Sequence, residues 1–198
     1  MNDTLMVIGE ALIDFIPTEQ GMALKDVCSF TKHCGGAPIN IAAATAKLGA
    51  HSKVLTQVGA DAFGDFILET LSLCQVDITA VKRTKQYPTA LAFVALDEKG
   101  NRDFTFYRDP CADLHLSAED ITATMFQDCG ILHFCSVDLV DSPMKQAHLK
   151  AIQLAKEQGA IISFDPNVRL PLWSSKEDCK NTILEFAPYA DILKISDD

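Results

Sequence analysis

The sequence predicts an α/β protein in which a parallel sheet is flanked by helices and carries a small β-appendage. Short apolar runs that end in glycine or polar residues alternate with helical stretches, and the connections between them are short. Two pairs of β-rich runs interrupt this alternation. They indicate a second, smaller sheet beside the main one.

The first part of the main layer is predicted from four elements. A continuous apolar run marks a buried strand, and an alanine-rich stretch that ends at Gly49 marks a helix. A second strand and a second helix follow, and Asp61 is expected to be the N-cap of that helix. These elements occupy residues 5–8, 39–48, 53–58 and 62–74.

The second half of the chain repeats the pattern. Apolar runs at residues 131–135, 161–165 and 192–195 indicate three further strands. The stretches between them, residues 143–158 and 176–187, have helical periodicity. Strands that alternate with helices in this way pair in parallel, with the helices covering the two faces of the sheet.

The interrupting β-rich pairs lie at about residues 12–33 and 89–108. Runs 89–96 and 103–107 flank a polar connection that contains Gly100, which indicates a hairpin. Runs 12–17 and 28–33 are expected to form two more strands, joined across Gly21. Such a sheet over the edge of the main one can act as a lid that excludes water. With no repeat or linker, residues 1–198 are expected to form one domain with this lid.

Composition excludes several classes of partner. The 198 residues include 17 basic and 27 acidic side chains, a formal net charge of −10, which disfavours nucleic acid and anionic membranes. The N-terminus lacks the features of a signal peptide, and no stretch approaches the roughly 18 apolar residues that span a bilayer. Seven cysteines without a CxxC pair favour reduced thiols and no metal site. We therefore expect a cytoplasmic protein.

The most informative motif is CGGAPINIA, at residues 34–42. Gly35 and Gly36 directly precede a helix with Pro38 near its first turn, so a ligand can approach the backbone closely. Asn40, one turn into the helix, offers both a donor and an acceptor, which suits a sugar hydroxyl. The alternative is a plain glycine-rich turn with an Asn on the helix surface. No Walker motif or GxGxxG sequence occurs, which argues against a dinucleotide-dependent oxidoreductase.

A second motif, GEALID at residues 9–14, places Asp14 just beyond the first strand. Ligands of open α/β sheets bind outside the carboxyl ends of the strands, and a carboxylate there can accept two sugar hydroxyls. The alternative is an acid on a solvated loop.

These motifs carry a resemblance to a known family. GEALIDF, CGGAPINIAAATAKLG and VGADAFG resemble the N-terminal half of the ribokinase-like (PfkB) carbohydrate kinases. YPTALAFV, FTFYRDPCAD and FDPNVRLPLW are similar to the fructokinase branch of that family. The resemblance runs from residue 6 to the end of the chain. It implies a ribokinase-like α/β sandwich of about nine strands, with a β-lid through which a homodimer often forms.

The resemblance also implies roles for individual residues. Asp14, Gly35, Gly36 and Asn40 match the positions that hold the sugar hydroxyls. The positions of two arginines are similar to substrate contacts of the fructokinase branch. Arg108 matches a contact at the lid hinge, and the alternative is an ion pair with a surface acid, Asp103 or Asp109. Arg169 matches a position near the sugar and the transferred phosphoryl group, where a guanidinium stabilises charge. Asp165 and Asn167, before Arg169, are either turn residues or ligand contacts.

The resemblance implies ATP- and Mg²⁺-dependent phosphorylation of a sugar, with fructose and its O6 hydroxyl favoured. The family's general base lies in a DTxGAGD-like signature, and no GAGD sequence occurs in these 198 residues. The expectation is therefore a truncated chain that lacks the base and most of the nucleotide site and is inactive alone. Asp138 and Asp141 are alternative candidates for the base, but neither lies beside a glycine-rich turn.

Two other functions stay open at this point. A 2-keto-3-deoxygluconate kinase shares the opening motif and the arginines, and its carboxylate substrate would need an additional cation. A catalytically inactive sugar-binding or interaction fragment fits the missing signature. Such a fragment would expose an apolar sheet edge, so poor solubility or self-association is expected.

Overall fold

The computed structural model describes residues 3–19, 21–96 and 102–196. In these ranges the chain forms ten strands and four α-helices. The strands are β1 (Thr4–Ile8), β2 (Leu12–Pro17), β3 (Phe30–Gly35), β4 (Ser52–Gly59), β5 (Val81–Thr84), β6 (Ala90–Leu96), β7 (Arg102–Tyr107), β8 (Cys129–Cys135), β9 (Ile161–Asp165) and β10 (Ile192–Leu193). The helices are α1 (Ala37–Lys47), α2 (Ala62–Leu73), α3 (Pro143–Glu157) and α4 (Lys176–Phe186).

Six strands form the main sheet, in the order β10-β9-β8-β1-β4-β5, and every neighbouring pair is parallel. Strand β1 lies in the middle, with Val7 opposite Val54 on one side and His133 on the other. The chain first adds strands on the β4 side and then crosses β1 to add β8. A ligand crevice is expected beside β1, outside the carboxyl ends of the strands, where the strand order reverses.

The other four strands form a second sheet, in the order β3-β2-β6-β7, which we call the small sheet. Strand β2 is antiparallel to β3 and parallel to β6, and β6 is antiparallel to β7. The two predicted β-rich pairs are therefore confirmed, and they join each other through β2 and β6. The connection expected at residues 97–102 lies largely outside the described residues.

The main sheet is confirmed where the apolar signal was strong, and Ile161–Asp165 begins and ends as predicted. The sequence missed β5, an edge strand in which Lys82 and Arg83 are exposed, because it has no apolar run. The last strand, β10, has two residues rather than the four predicted.

Helices cover the main sheet on both faces and enclose two apolar cores. On the face of α3 and α4, the rings of Phe134 and Phe164 stack with centroids 4.6 Å apart, and Phe186 packs edge-on against Phe134. On the other face, Val7 of β1 packs in one cluster with side chains of α1 and α2. Burying each such aliphatic or aromatic side chain contributes roughly 1.5–3 kcal/mol, so the two cores fix β1 in place.

The longest helix of the described ranges is α3, with 15 residues. Within those ranges no helix combines the length and the hydropathy that crossing a bilayer demands.

Candidate functional site

Four of the six sequence-predicted residues, but not Gly35 or Arg108, line a cavity of about 140 Å³ between the small sheet and the carboxyl edge of the main sheet. We call it the central cavity. Glu10 and the glycine turn line it from the main sheet, and Leu12 with two phenylalanines of β7 lines it from the small sheet. The predicted residues in its wall are Asp14, Gly36, Asn40 and Arg169.

The glycine turn owes its shape to two close approaches. A Cβ built on Gly35 would overlap the carboxylate of Asp14, which sits directly above it. Gly36 has φ = 119°, a conformation that favours glycine, and a Cβ there would collide with the carbonyl of Glu10. Glycine at both positions therefore lets β3, β2 and the end of β1 come together at the cavity. The space beside the two glycines is taken by Asp14 and Glu10, so the approach of a ligand to this backbone stays a prediction.

Helix α1 begins directly after the turn and presents Asn40 to the central cavity. The carboxylate Oε1 of Glu10 accepts the amide N–H of Ala37 at 2.7 Å, which satisfies one donor of the first turn. The amide of Asn40 donates to the Gly36 carbonyl at 3.0 Å, so Asn40 lies one helical turn after the glycine. That side chain is exposed.

Asp14 lies on β2 opposite His33 of β3, and its carboxylate lies on the cavity side of the small sheet. Its side chain is half-buried, so it combines a fixed position with access from the cavity. The sequence alternative, an acid on a solvated loop, does not describe this strand position.

Arg169 follows β9 and connects the central cavity with a polar cavity of about 320 Å³. Its guanidinium lies 5.9 Å from the ring centre of Phe104, and Nη1 donates to the Val168 carbonyl at 2.9 Å. Lys194 also lines the polar cavity and pairs with Asp165 at 3.1 Å. Two cations therefore face one polar space at the carboxyl edge of β9 and β10, an arrangement suited to an anion.

The turn before Arg169 has a structural role. The amide of Asn167 donates to Oδ1 of Asp165 at 3.0 Å, and Asn167 has φ = 40°. This hydrogen bond is typical of an Asx turn, in which Asp and Asn favour a tight reversal. Asn167 also lines both cavities, so the turn carries it to the site.

Arg108 is buried, with 5% of its surface exposed, and it lies in the interior behind the central cavity. Its Nη2 donates to Asp113 at 2.7 Å and to Asp138 at 2.5 Å. The sequence left open an ion pair with a surface acid, Asp103 or Asp109. The two ion pairs that Arg108 makes here are internal. Arg108 lines a neighbouring cavity of about 550 Å³ rather than the central one, so its predicted substrate contact stays a prediction.

Sequence reasoning missed the acids that surround Arg108. Glu10 and Asp113 were given no role, and Asp138 was weighed only as a base. All three side chains are buried, with 3% or less exposed. Burial raises the pKa of Glu10 to about 7, against the attraction of Arg108, and raises the pKa of Asp138 well above its usual range. Their placement directly after strands β1 and β8 gave no local sign that Glu10 and Asp138 would be enclosed.

Sequence comparison with known proteins identifies the family of this chain. The model of the pfkB family of carbohydrate kinases matches residues 2–198. Probable fructokinase-2 of Arabidopsis thaliana is 41% identical over 189 residues, which cover 96% of this chain and 57% of the relative. Fructokinase-2 of Solanum lycopersicum is 40% identical over 193 residues, 98% of this chain and 59% of the relative. The chain thus spans less than two thirds of the length of these curated relatives.

Solved structures give the same result. The ATP-bound fructokinase of Xylella fastidiosa superposes with a TM-score of 0.89 at 36% identity, covering 100% of this chain and 59% of that one. A sugar kinase of Pyrococcus horikoshii in complex with ATP gives a TM-score of 0.89 at 35% identity, covering 96% and 62%. The predicted ribokinase-like fold is therefore confirmed. With a family model that matches nearly every residue, this chain belongs to the pfkB family of carbohydrate kinases.

Proposed function

We propose that this chain provides the sugar-binding part of an ATP-dependent fructokinase, which converts fructose to fructose 6-phosphate in the full-length protein. The observation that carries the proposal is the meeting of Asp14, Asn40 and Arg169 at one small cavity outside the carboxyl ends of the strands. The family membership and the fructokinase relatives support the same assignment.

The wall of the central cavity has the groups that a polyol needs. Asp14 accepts hydroxyl protons, and Asn40 can donate to one hydroxyl and accept from another. The glycine turn brings the start of α1 to the same wall, with Gly35 making room for the carboxylate of Asp14 and Gly36 for the carbonyl of Glu10. Among the described residues that line this cavity, Arg169 is the one cation. A single cation favours a neutral ketohexose over 2-keto-3-deoxygluconate, whose carboxylate would need a further positive partner.

The polar cavity fits the phosphate end of a nucleotide. Arg169 and Lys194 are suited to phosphate oxygens, and Asp165 is a carboxylate beside them. Within the described part of the chain no group of three or more His, Cys, Asp or Glu side chains is arranged to hold a metal ion. Mg²⁺ in nucleotide sites commonly binds through phosphate oxygens with one or two carboxylates, and Asp165 could supply one of them. ATP supplies the phosphoryl group, and Arg169 lies where it can attract that group towards the sugar.

The small sheet is proposed to be a lid that closes over the sugar and to mediate a homodimer. Its strands span about residues 12–33 and 89–108 and bring Asp14 and Phe106 over the cavity. Its other face carries a row of aromatic rings, Phe15, Phe30, Phe93 and Tyr107, each in contact with the next. Tyr107 is 64% exposed, which makes this face suited to a second copy.

We also propose that the protein acts in the cytoplasm. One relative, by contrast, is named as a chloroplastic probable fructokinase.

The proposal is tested by titrating fructose into the 198-residue chain and measuring heat or ligand-detected NMR. We expect Asp14→Asn to weaken binding by about tenfold, because one charged acceptor, worth about 1.5 kcal/mol or more, is lost. Asp26→Asn, an exposed acid outside the central cavity, is the matched control and should bind as the parent does. Equal affinity in all three proteins would remove the central cavity as the sugar site.

Turnover separates the kinase from the inactive sugar-binding alternative. The chain alone, free of hexokinase and supplied with ATP, Mg²⁺ and fructose, is expected to show little or no fructose-dependent ATP consumption. The full-length protein is expected to consume ATP with fructose and far less with 2-keto-3-deoxygluconate. Ordinary kinase rates from the 198-residue chain would contradict the expectation that the base lies outside it.

A further inference from the structure

A buried group of four charged side chains borders the central cavity through Glu10, and we call it the buried charge cluster. It consists of Glu10 after β1, Arg108 after β7, Asp113 in the following 3-10 turn, and Asp138 after β8. At most 5% of each side chain is exposed. Two of the three carboxyl groups, Asp113 and Asp138, pair with the guanidinium, and Glu10 interacts with it through its charge.

The hydrogen bonds of the cluster are unevenly distributed. Nη2 of Arg108 bonds to both aspartates, and the other oxygen of Asp113 accepts the amide of Leu114 at 3.0 Å and the thiol of Cys111 at 2.7 Å. Asp113 is therefore fully satisfied. Oε2 of Glu10, Oδ2 of Asp138 and Nε of Arg108 are buried and have no hydrogen-bond partner among the described residues.

Charge counting shows what this arrangement requires. Three ionised carboxylates against one guanidinium would leave a net charge of −2 in the interior, and unpaired buried charge is very costly. At least one of the two incompletely bonded acids, Glu10 or Asp138, therefore keeps a proton near neutral pH. Burial raises the pKa of both, and for Glu10 the value of about 7 puts the change of charge within the range of ordinary buffers.

Glu10 also connects the cluster to the cavity wall. Its Oε1 holds the amide of Ala37, the first residue of α1, and its main-chain carbonyl lies against Gly36. Gly36 in turn accepts the amide of Asn40. An ionised carboxylate at a helix N-terminus makes a shorter, stronger hydrogen bond and interacts favourably with the helix dipole, whereas a protonated one does so weakly.

We propose that Glu10 is a positioning residue, whose carboxyl fixes the first turn of α1, and with it Gly36 and Asn40, more firmly when ionised than when protonated. The groups that act on it are Arg108, Asp113, Asp138 and the buried thiol of Cys135, whose own pKa burial raises. Its effect on the sugar rests on the proposed function, since the wall that it positions is the proposed sugar site.

Amide NMR of the 198-residue chain tests the positioning without any ligand. We expect the amide shifts of Ala37, Gly36 and Asn40 to titrate together near pH 7 in the parent protein. Glu10→Gln keeps the acceptor but cannot ionise, so these shifts should become independent of pH. Glu69→Gln, an exposed glutamate on α2, is the matched control and should titrate like the parent. Amides that do not titrate, or that titrate equally in Glu10→Gln, overturn the proposal.

Fructose titration at pH 6, 7 and 8 tests the consequence. The affinity of the parent should rise several-fold across this range, and that of Glu10→Gln should stay nearly constant. Glu10→Ala, which has no acceptor for Ala37, should bind more weakly at every pH, so that Gln rescues part of the loss. A pH profile for Glu10→Gln that matches the parent overturns the proposal. If the amides titrate as expected but no fructose binds at any pH, the positioning stands and the proposed sugar function fails.

Discussion

At the scale of single residues, the hydrogen-bond partners of an acid decide what it contributes to the fold. Asp61 shows this well. Its carboxylate accepts the amides of Phe63 and Gly64 in the first turn of α2, as the predicted N-cap should. It also accepts the amide and the hydroxyl of Thr89, at 2.9 and 2.8 Å, at the entry to β6. One side chain therefore ties a helix of the main layer to the small sheet.

Asp61→Ala is expected to lower the free energy of unfolding by about 2 kcal/mol, because a helix cap and two further bonds are lost. Burial acts to raise the pKa of Asp61, but the hydrogen bonds from Thr89, Gly64 and Phe63 outweigh it and lower that pKa. The stabilisation is therefore present above the ordinary Asp pKa and is lost as pH falls through the lowered value. Urea unfolding at pH 7 and pH 3 measures both effects. Asp26→Ala is the control, and equal loss in both variants would contradict the capping role.

The pKa of Glu10 predicts the opposite dependence. Because the folded value, about 7, exceeds the usual 4.5, the folded state binds a proton that the unfolded state releases. The stability that this proton contributes is complete below pH 4.5 and is lost as pH rises through 7, by about 3 kcal/mol in all. Urea unfolding from pH 5 to 8 should show a shallower decline for Glu10→Gln than for the parent. Parallel curves would mean that Glu10 is ionised throughout.

The residues of the candidate site were only partly predictable. Gly35, Gly36, Asn40 and Asp14 were candidates because they lie in the local motifs CGGAPINIA and GEALID, and Arg169 was a candidate through the family resemblance. The buried charge cluster does not follow, because its members come from three distant segments of the chain, after β1, β7 and β8. No local pattern shows that Glu10, the first of the two acids in GEALID, will be buried. Burial is a property of the packed chain, and it changes the chemistry of an acid without changing its sequence context.

At the scale of elements, apolar periodicity predicted the interior strands and also β3 and β7, the edges of the small sheet, but it missed β5. Strands β1, β8 and β9 lie in the interior of the main sheet and were predicted within two residues at each end. Strand β5, at the sheet edge, needs no apolar run because only one side pairs. The parallel contact between β2 and β6 was also invisible, since pairing of distant strands depends on tertiary packing.

The aromatic row of the small sheet carries the prediction about assembly. Tyr107→Glu places a charge at the exposed end of this row. The proposed homodimer of this variant should therefore dissociate at a higher protein concentration than that of the parent. Sedimentation velocity over a concentration series measures the change. Leu73→Glu, at an 86% exposed position on α2, is the control for adding a charge to an apolar surface residue. Dimerisation that is insensitive to Tyr107→Glu would exclude this face.

At the scale of the whole molecule, the main sheet is unequally covered. Both faces around β1 are packed, but β10 ends the sheet with Ile192 and Leu193 each about half exposed, at 50% and 45%. Ile195 just beyond is 71% exposed, and Ile161 of β9 is 44% exposed. A sheet edge with neighbouring apolar side chains is a template for further pairing and for association.

The 198-residue chain is therefore expected to self-associate through β10 as well as through the small sheet. Ile192→Lys with Ile195→Lys places two charges on this edge, which should reduce light scattering and dye binding to apolar surface at high concentration. Both positions are exposed, so the unfolding midpoint should change little. Leu184→Lys, 59% exposed on α4, is the control for added charge. Scattering that falls with the control but not with the edge variant would place the association elsewhere. Combining the edge variant with Tyr107→Glu separates the two surfaces, since the lid dimer should survive the first change and be lost with the second.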